Sequence, residues 1–99
     1  MEPLACDLKE LSPAQRARHR DLMERLRTAV LDRTELPDGY VYRLRADRLS
    51  PQEFREWIEL ECLCCKFLTI EMEVEGDAVS RLTLRGPSGT KDVLRQEFP

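Results

Sequence analysis

The chain has 99 residues, 35% of them charged and 41% hydrophobic, with 16 Lys and Arg against 19 Asp and Glu for a net charge of −3. That length fits one domain over residues 1–99, and the acidic balance argues against a dedicated nucleic-acid binder. No stretch free of Asp, Glu, Lys and Arg exceeds five residues (Leu11–Gln15 and Gly86–Thr90), so neither a membrane span nor an export signal is read, and a soluble cytoplasmic protein is expected.

Residues 1–11 form an N-terminal segment carrying Cys6. Helix signals begin at Ser12-Pro13-Ala14-Gln15, an N-cap, a proline at the first helical position and the glutamine of a capping box. Leu22, Met23, Leu26, Ala29 and Val30 follow at helical spacing, which predicts a helix over about residues 12–34. Leu36-Pro37-Asp38-Gly39 is turn chemistry. Tyr40 to Ala46 alternates, with Tyr40, Tyr42 and Leu44 on one face, and predicts a half-buried strand. Ser50-Pro51-Gln52-Glu53 repeats the capping signature and opens a second helix with Phe54, Trp57 and Ile58 inward, ending near Cys64–Lys66.

Phe67 to Glu75 alternates most clearly, with Leu68, Ile70, Met72 and Val74 facing inward. Val79 to Arg85 follows with Leu82 and Leu84 inward. A three-residue loop, Gly76 to Ala78, sets Met72 opposite Leu82, Ile70 opposite Leu84 and Glu73 opposite Arg81, which keeps the apolar faces together. Pro87 to Phe98 predicts a short terminal helix with Val93, Leu94 and Phe98 inward and Ser88 as cap. The order α-β-α-β-β-α gives an α+β two-layer sandwich, a three-stranded, mostly antiparallel sheet with helices on one face. A right-handed crossover puts the third strand between the first two, which then run parallel.

Cysteine placement is the unusual feature. Cys6 stands alone, whereas Cys62, Cys64 and Cys65 crowd into one turn. Crowded cysteines cannot each close a separate loop, so reduced thiols and metal or redox chemistry are expected. Cys62 and Cys65 follow Ile58 by four and seven and belong to the buried stripe; Cys64 lies about 100° round from Cys65 in an ideal helix. At a helix end the Cys64–Cys65 pair can converge on one ion. Cys6 and His19, which lies on the inward stripe of the first helix, are the distant ligands within reach. Zinc favours such thiolate and imidazole sets, and Cu(I) or Hg(II) accepts two or three thiolates with fewer geometric demands. Glu61, one turn before Cys65 on the inward side, needs a partner if buried and is a further ligand or an acceptor for the hydrogen of a ligand side chain. Cys62 reads better as a small buried apolar residue.

Cys6-Asp7, Gln15-Arg16-Ala17-Arg18-His19, Leu36-Pro37-Asp38-Gly39-Tyr40 and Glu61-Cys62-Leu63-Cys64-Cys65-Lys66-Phe67-Leu68 together resemble a family of small uncharacterised bacterial cytoplasmic proteins. That family has a lone N-terminal cysteine and a Glu-x-x-Cys-Cys-Pro-Phe-like motif. The resemblance covers nearly the whole chain. It implies a thiol or metal site in which Cys6, His19, Cys64 and Cys65 match recurring positions. Cys62 stands where a basic residue is more usual, and Lys66 where proline is typical.

The expected function is therefore metal binding for buffering, transfer or resistance, by Cys6, Cys64 and Cys65 thiolates with His19 as fourth ligand. One alternative is thiol-redox chemistry at the vicinal Cys64–Cys65 pair, although a helix C-terminus opposes thiolate formation. Another is a non-catalytic interaction module with structural cysteines. Arg16, Arg18, Arg20, Arg25 and Arg27 load the first helix, while residues 53–77 are acidic, an asymmetry suited to dimerisation or anion contact. No catalytic signature appears, since Gly86 to Lys91 lacks the spacing of a phosphate loop.

Overall fold

A computed structural model describes residues 5–98, so residues 1–4 of the N-terminal segment lie outside the described residues. After a 3-10 turn at Leu8–Glu10 come helix α1 (Pro13–Ala29), strands β1 (Val30–Leu36) and β2 (Gly39–Leu44), helix α2 (Pro51–Cys64), strands β3 (Thr69–Glu75) and β4 (Ala78–Arg85), and helix α3 (Thr90–Glu97). Both predicted capping boxes form: Ser12 and Gln15 exchange hydrogen bonds of 3.1 and 2.9 Å, as do Ser50 and Glu53. Each satisfies two of the N–H groups that a helix start leaves without intrahelical partners. Ser88 does not cap α3; Gly89 holds that position in a left-handed conformation with φ 98°.

The sheet has four strands rather than three, in the order β1-β2-β4-β3, with every neighbouring pair antiparallel. β4 separates β2 from β3, which run parallel to one another as the crossover argument requires. The extra strand is the stretch expected to finish the first helix. Helix α1 stops at Ala29 because Val30–Leu36 forms a hairpin with β2 around Pro37-Asp38, and the Arg45 N–H closes its open end on the Ala29 carbonyl at 2.8 Å. β1 is an edge strand whose five central residues are exposed, so it never shows the alternation that marks a half-buried strand. Charges blunt this edge: Asp32 pairs with Arg43 across the hairpin at 2.5 Å, and the Arg33 guanidinium lies 4.7 Å from the Tyr40 ring centre.

The predicted β3–β4 register holds, with Ile70, Met72 and Glu73 opposite Leu84, Leu82 and Arg81. It is reached differently. Glu75 pairs with Ala78, so the turn is the two-residue Gly76-Asp77, and an irregularity between Glu73 and Val74 absorbs the extra residue, Ser80. The Ser80 hydroxyl donates to the Glu73 carbonyl at 3.3 Å. Beyond this bulge Val74, expected inward, is 54% exposed at the end of the second edge strand.

Tyr40, Tyr42, Leu44, Leu82 and Leu84 cover the inner face of the sheet. Against them pack Leu22, Met23 and Leu26 of α1, Phe54, Trp57 and Leu60 of α2, and Leu94 with Phe98 at the chain end. Trp57 is fully buried, and its indole N–H points at the Met23 sulfur, 3.2 Å away. Arg18 bonds Glu56 at 2.7 Å and Arg25 bonds Glu53, so α1 and α2 are also joined along their exposed edges. Gly39 lies where β2 meets β4, and a Cβ there would overlap the Leu84 carbonyl oxygen. Gly39→Ala is expected to cost more than about 2 kcal/mol, read from the urea midpoint. Gly76→Ala, at a left-handed φ of 59° in open space, should cost about 1 kcal/mol.

Candidate thiol and metal site

Helix α2 ends without glycine or proline, and its final carbonyls need partners. The N-terminal segment supplies one. The Asp7 N–H donates to the Cys64 carbonyl at 2.7 Å, which lays residues 5–7 over the helix end and brings Cys6 to the cysteine turn. Asp7 also starts the 3-10 turn, its carboxylate accepting from the Lys9 N–H at 3.1 Å. Cys65 is the C-cap, its N–H donating to the Glu61 carbonyl at 2.6 Å. Lys66 plays no part in ending the helix; its ammonium pairs with Glu10 at 3.7 Å on the surface.

Cys6 and Cys65 are joined as a disulfide, their Cα atoms 4.4 Å apart and 59 residues apart in sequence. This corrects the expectation of reduced thiols throughout. Crowding forbids separate loops within 62–65, but it does not forbid one bridge from that turn to a distant cysteine. Cys62 and Cys64 remain free. The Cys64 sulfur is buried, 3.8 Å from that of Cys65, and burial pushes its thiol up to about 12. No vicinal bond joins the pair. Cys62 is exposed rather than part of the buried stripe. The buried arc of α2 runs through Phe54, Trp57, Leu60, Glu61 and Cys64, and Cys62 is rotated past it.

Glu61 is fully buried and His19 is 8% exposed. The His19 Nε2 lies 2.7 Å from a Glu61 carboxylate oxygen; an Nε2-protonated imidazole donates there and gives the buried acid its partner. The other Glu61 oxygen faces Cys6 Sγ at 3.9 Å. Glu97, on the last turn of α3, completes the cluster. Its Oε1 is 3.2 Å from Cys6 Sγ and 3.8 Å from Cys65 Sγ, and its Oε2 is buried without a hydrogen-bond partner. Burial and the neighbouring Glu61 carboxylate push the Glu97 acid up to about 8.

The cluster therefore holds every predicted ligand except Cys62, as two overlapping sets. Cys6, Glu61, Cys65 and Glu97 present ligand atoms all within 4.8 Å of one another, as do His19, Glu61 and Cys64. Glu97 was not among the sequence candidates. The available signal was its position three residues after Leu94 and beside Phe98, at the margin of the inward stripe of α3. Comparison with protein-family models, curated proteins and solved structures finds no match, so geometry carries the functional reading. No helix among the described residues is long and apolar enough to cross a membrane.

A pH dependence follows from Glu97. Its carboxyl moves from an ordinary 4.5 to about 8 on folding, so between those values the native state holds more protons than the unfolded chain. This group's contribution to stability accordingly falls as pH rises through that window. Glu97→Gln is expected to flatten that part of the stability profile, measured by urea denaturation at several pH values.

Proposed function

We propose that the reduced protein binds one thiophilic cation, Zn(II) or a softer ion such as Cu(I) or Hg(II), for metal buffering, transfer or resistance. The observation that carries this reading is the convergence, from three separate segments, of two sulfurs and two carboxylates within 4.8 Å of one another. Once reduced, Cys6 and Cys65 need to part to about 3.7 Å to hold a tetrahedral zinc ion at ~2.3 Å. Glu97 and Glu61 would complete that set, with His19 orienting Glu61 as an outer partner. A softer ion would favour sulfur and draw in Cys64, whose proton is lost on coordination. The buried, unpartnered Oε2 of Glu97 beside the buried Glu61 carboxylate supplies the electrostatic reason, because a cation offsets charge that a dry site otherwise opposes.

The test is an anaerobic titration of the reduced full-length chain with Zn(II) and Cd(II) against a chromophoric chelator. One equivalent should bind, Cys6→Ser and Cys65→Ser should abolish uptake, Glu97→Gln should weaken it, and Cys62→Ser should change nothing. Bound metal should also raise the unfolding midpoint with concentration. Absence of uptake, or uptake indifferent to Cys6 and Cys65, overturns the reading.

A second reading is dithiol–disulfide cycling by Cys6 and Cys65. The bond between them and the Cys64 thiol 3.8 Å from Cys65 favour it. It replaces the vicinal pair of the sequence reading with one that closes a long loop.

A further inference from the structure

Helix α1 carries arginines in two electrostatic situations. Arg18 and Arg25 are paired with carboxylates of α2. Arg16 and Arg20 face the other way, and among the described residues neither pairs with a carboxylate. Arg27, further along the same side, gives its Nε–H to the Glu97 backbone carbonyl at 2.6 Å and has no acid partner among the described residues. These three arginines are among the residues lining one cavity of about 280 Å³ whose wall also includes Cys6, His19 and Met23, with Glu97 the one acidic residue. A second cavity, beside Val93 and Gln96, also reaches Cys6. Neither touches Cys65, which is fully buried. The cavities thus reach the disulfide from its Cys6 side, next to Arg16 and Arg20, which have no acid partner among the described residues.

We infer that this cavity binds a low-molecular-weight thiol bearing a carboxylate, and that this thiol opens the Cys6–Cys65 bond by attack on Cys6 Sγ. Guanidinium groups hold a carboxylate by paired hydrogen bonds and raise the local thiolate concentration. The incoming thiol loses its proton to solvent. Its sulfur bonds Cys6 as the Cys6–Cys65 bond breaks, and the electron pair leaves on Cys65 Sγ, which takes up a proton. A second thiol molecule then displaces Cys6, releasing the small-molecule disulfide and leaving two protein thiols. Two electrons pass from the small thiols to the protein. This goes beyond the cation reading and stands without it, since the exchange needs no metal.

The experiment uses the oxidised full-length chain with a chelator present, so that its outcome is separate from the metal titration. The rate of opening is measured with 3-mercaptopropionate, neutral 2-mercaptoethanol and cationic cysteamine, each corrected for its thiolate fraction and for its rate with 2-hydroxyethyl disulfide. The anionic thiol is expected to react about tenfold faster than cysteamine at low ionic strength, and the preference should fade at about 0.5 M salt. Mass spectrometry of the quenched intermediate should find the adduct on Cys6. Arg16→Gln with Arg20→Gln should collapse the preference, whereas Arg16→Lys with Arg20→Lys should keep most of it. Equal corrected rates for the three thiols, a preference untouched by the glutamine pair in a folded protein, or an adduct on Cys65 would overturn the inference.

Discussion

Replacing His19 by alanine is expected to destabilise the fold by about 3–5 kcal/mol, the usual cost of leaving a buried charge without its partner. Glu61 is fully buried, and the imidazole contact at 2.7 Å is its shortest to another side chain. The remaining neighbours of its carboxylate are sulfurs and the Glu97 acid, and His19 is the hydrogen-bond partner of Glu61 Oε2. Glu61→Gln in the same background removes the stranded charge and should recover a large part of the loss. Urea denaturation of the parent, both single variants and the double variant closes a thermodynamic cycle. A His19→Ala midpoint within experimental error of the parent's would show that the pair contributes nothing, and with it would go the view of His19 as the group orienting Glu61.

Reduction of the Cys6–Cys65 bond is expected to cost about 4 kcal/mol, the chain-entropy value for a loop of this length. The bridge spans 59 residues, from the N-terminal segment across α1, the first hairpin and α2. Opening it restores freedom mainly to the unfolded chain. Cys6→Ser, which lacks the bond under every condition, should match the reduced parent in midpoint and should no longer respond to reductant. An unchanged midpoint on complete reduction would mean that the helix-end contacts alone hold the segment.

Much of this architecture was legible because local chemistry and tertiary packing agree. The Ser12 and Ser50 caps, the Phe54–Trp57 stripe and the Ile70/Leu84 and Met72/Leu82 pairings all follow from capping residues and period, and each is where those rules put it. β1 was not legible. Its residues continue a helical run and face water on both sides, so neither period marks them as a strand; pairing with β2 makes them one. Inside the site, Cys6, His19, Glu61, Cys64 and Cys65 were visible as chemistry. What no spacing could supply was which sulfur meets which. That depends on one backbone contact between the N-terminal segment and the end of α2. Glu97 was hidden for a similar reason, because a glutamate on a short terminal helix reads as solvated until the fold turns it onto two sulfurs.

That backbone contact has a consequence for how the bridge behaves once broken. The Asp7 N–H donates to the Cys64 carbonyl, a contact that involves no sulfur, so a severed bridge should leave its two ends leashed rather than adrift. Recapture is then a unimolecular encounter at high effective molarity, and a small molecule attached to Cys6 faces prompt expulsion by the returning Cys65 thiolate. The latch makes the cystine quick to re-form from such a mixed disulfide, and it keeps the free thiols close enough together to serve a common guest.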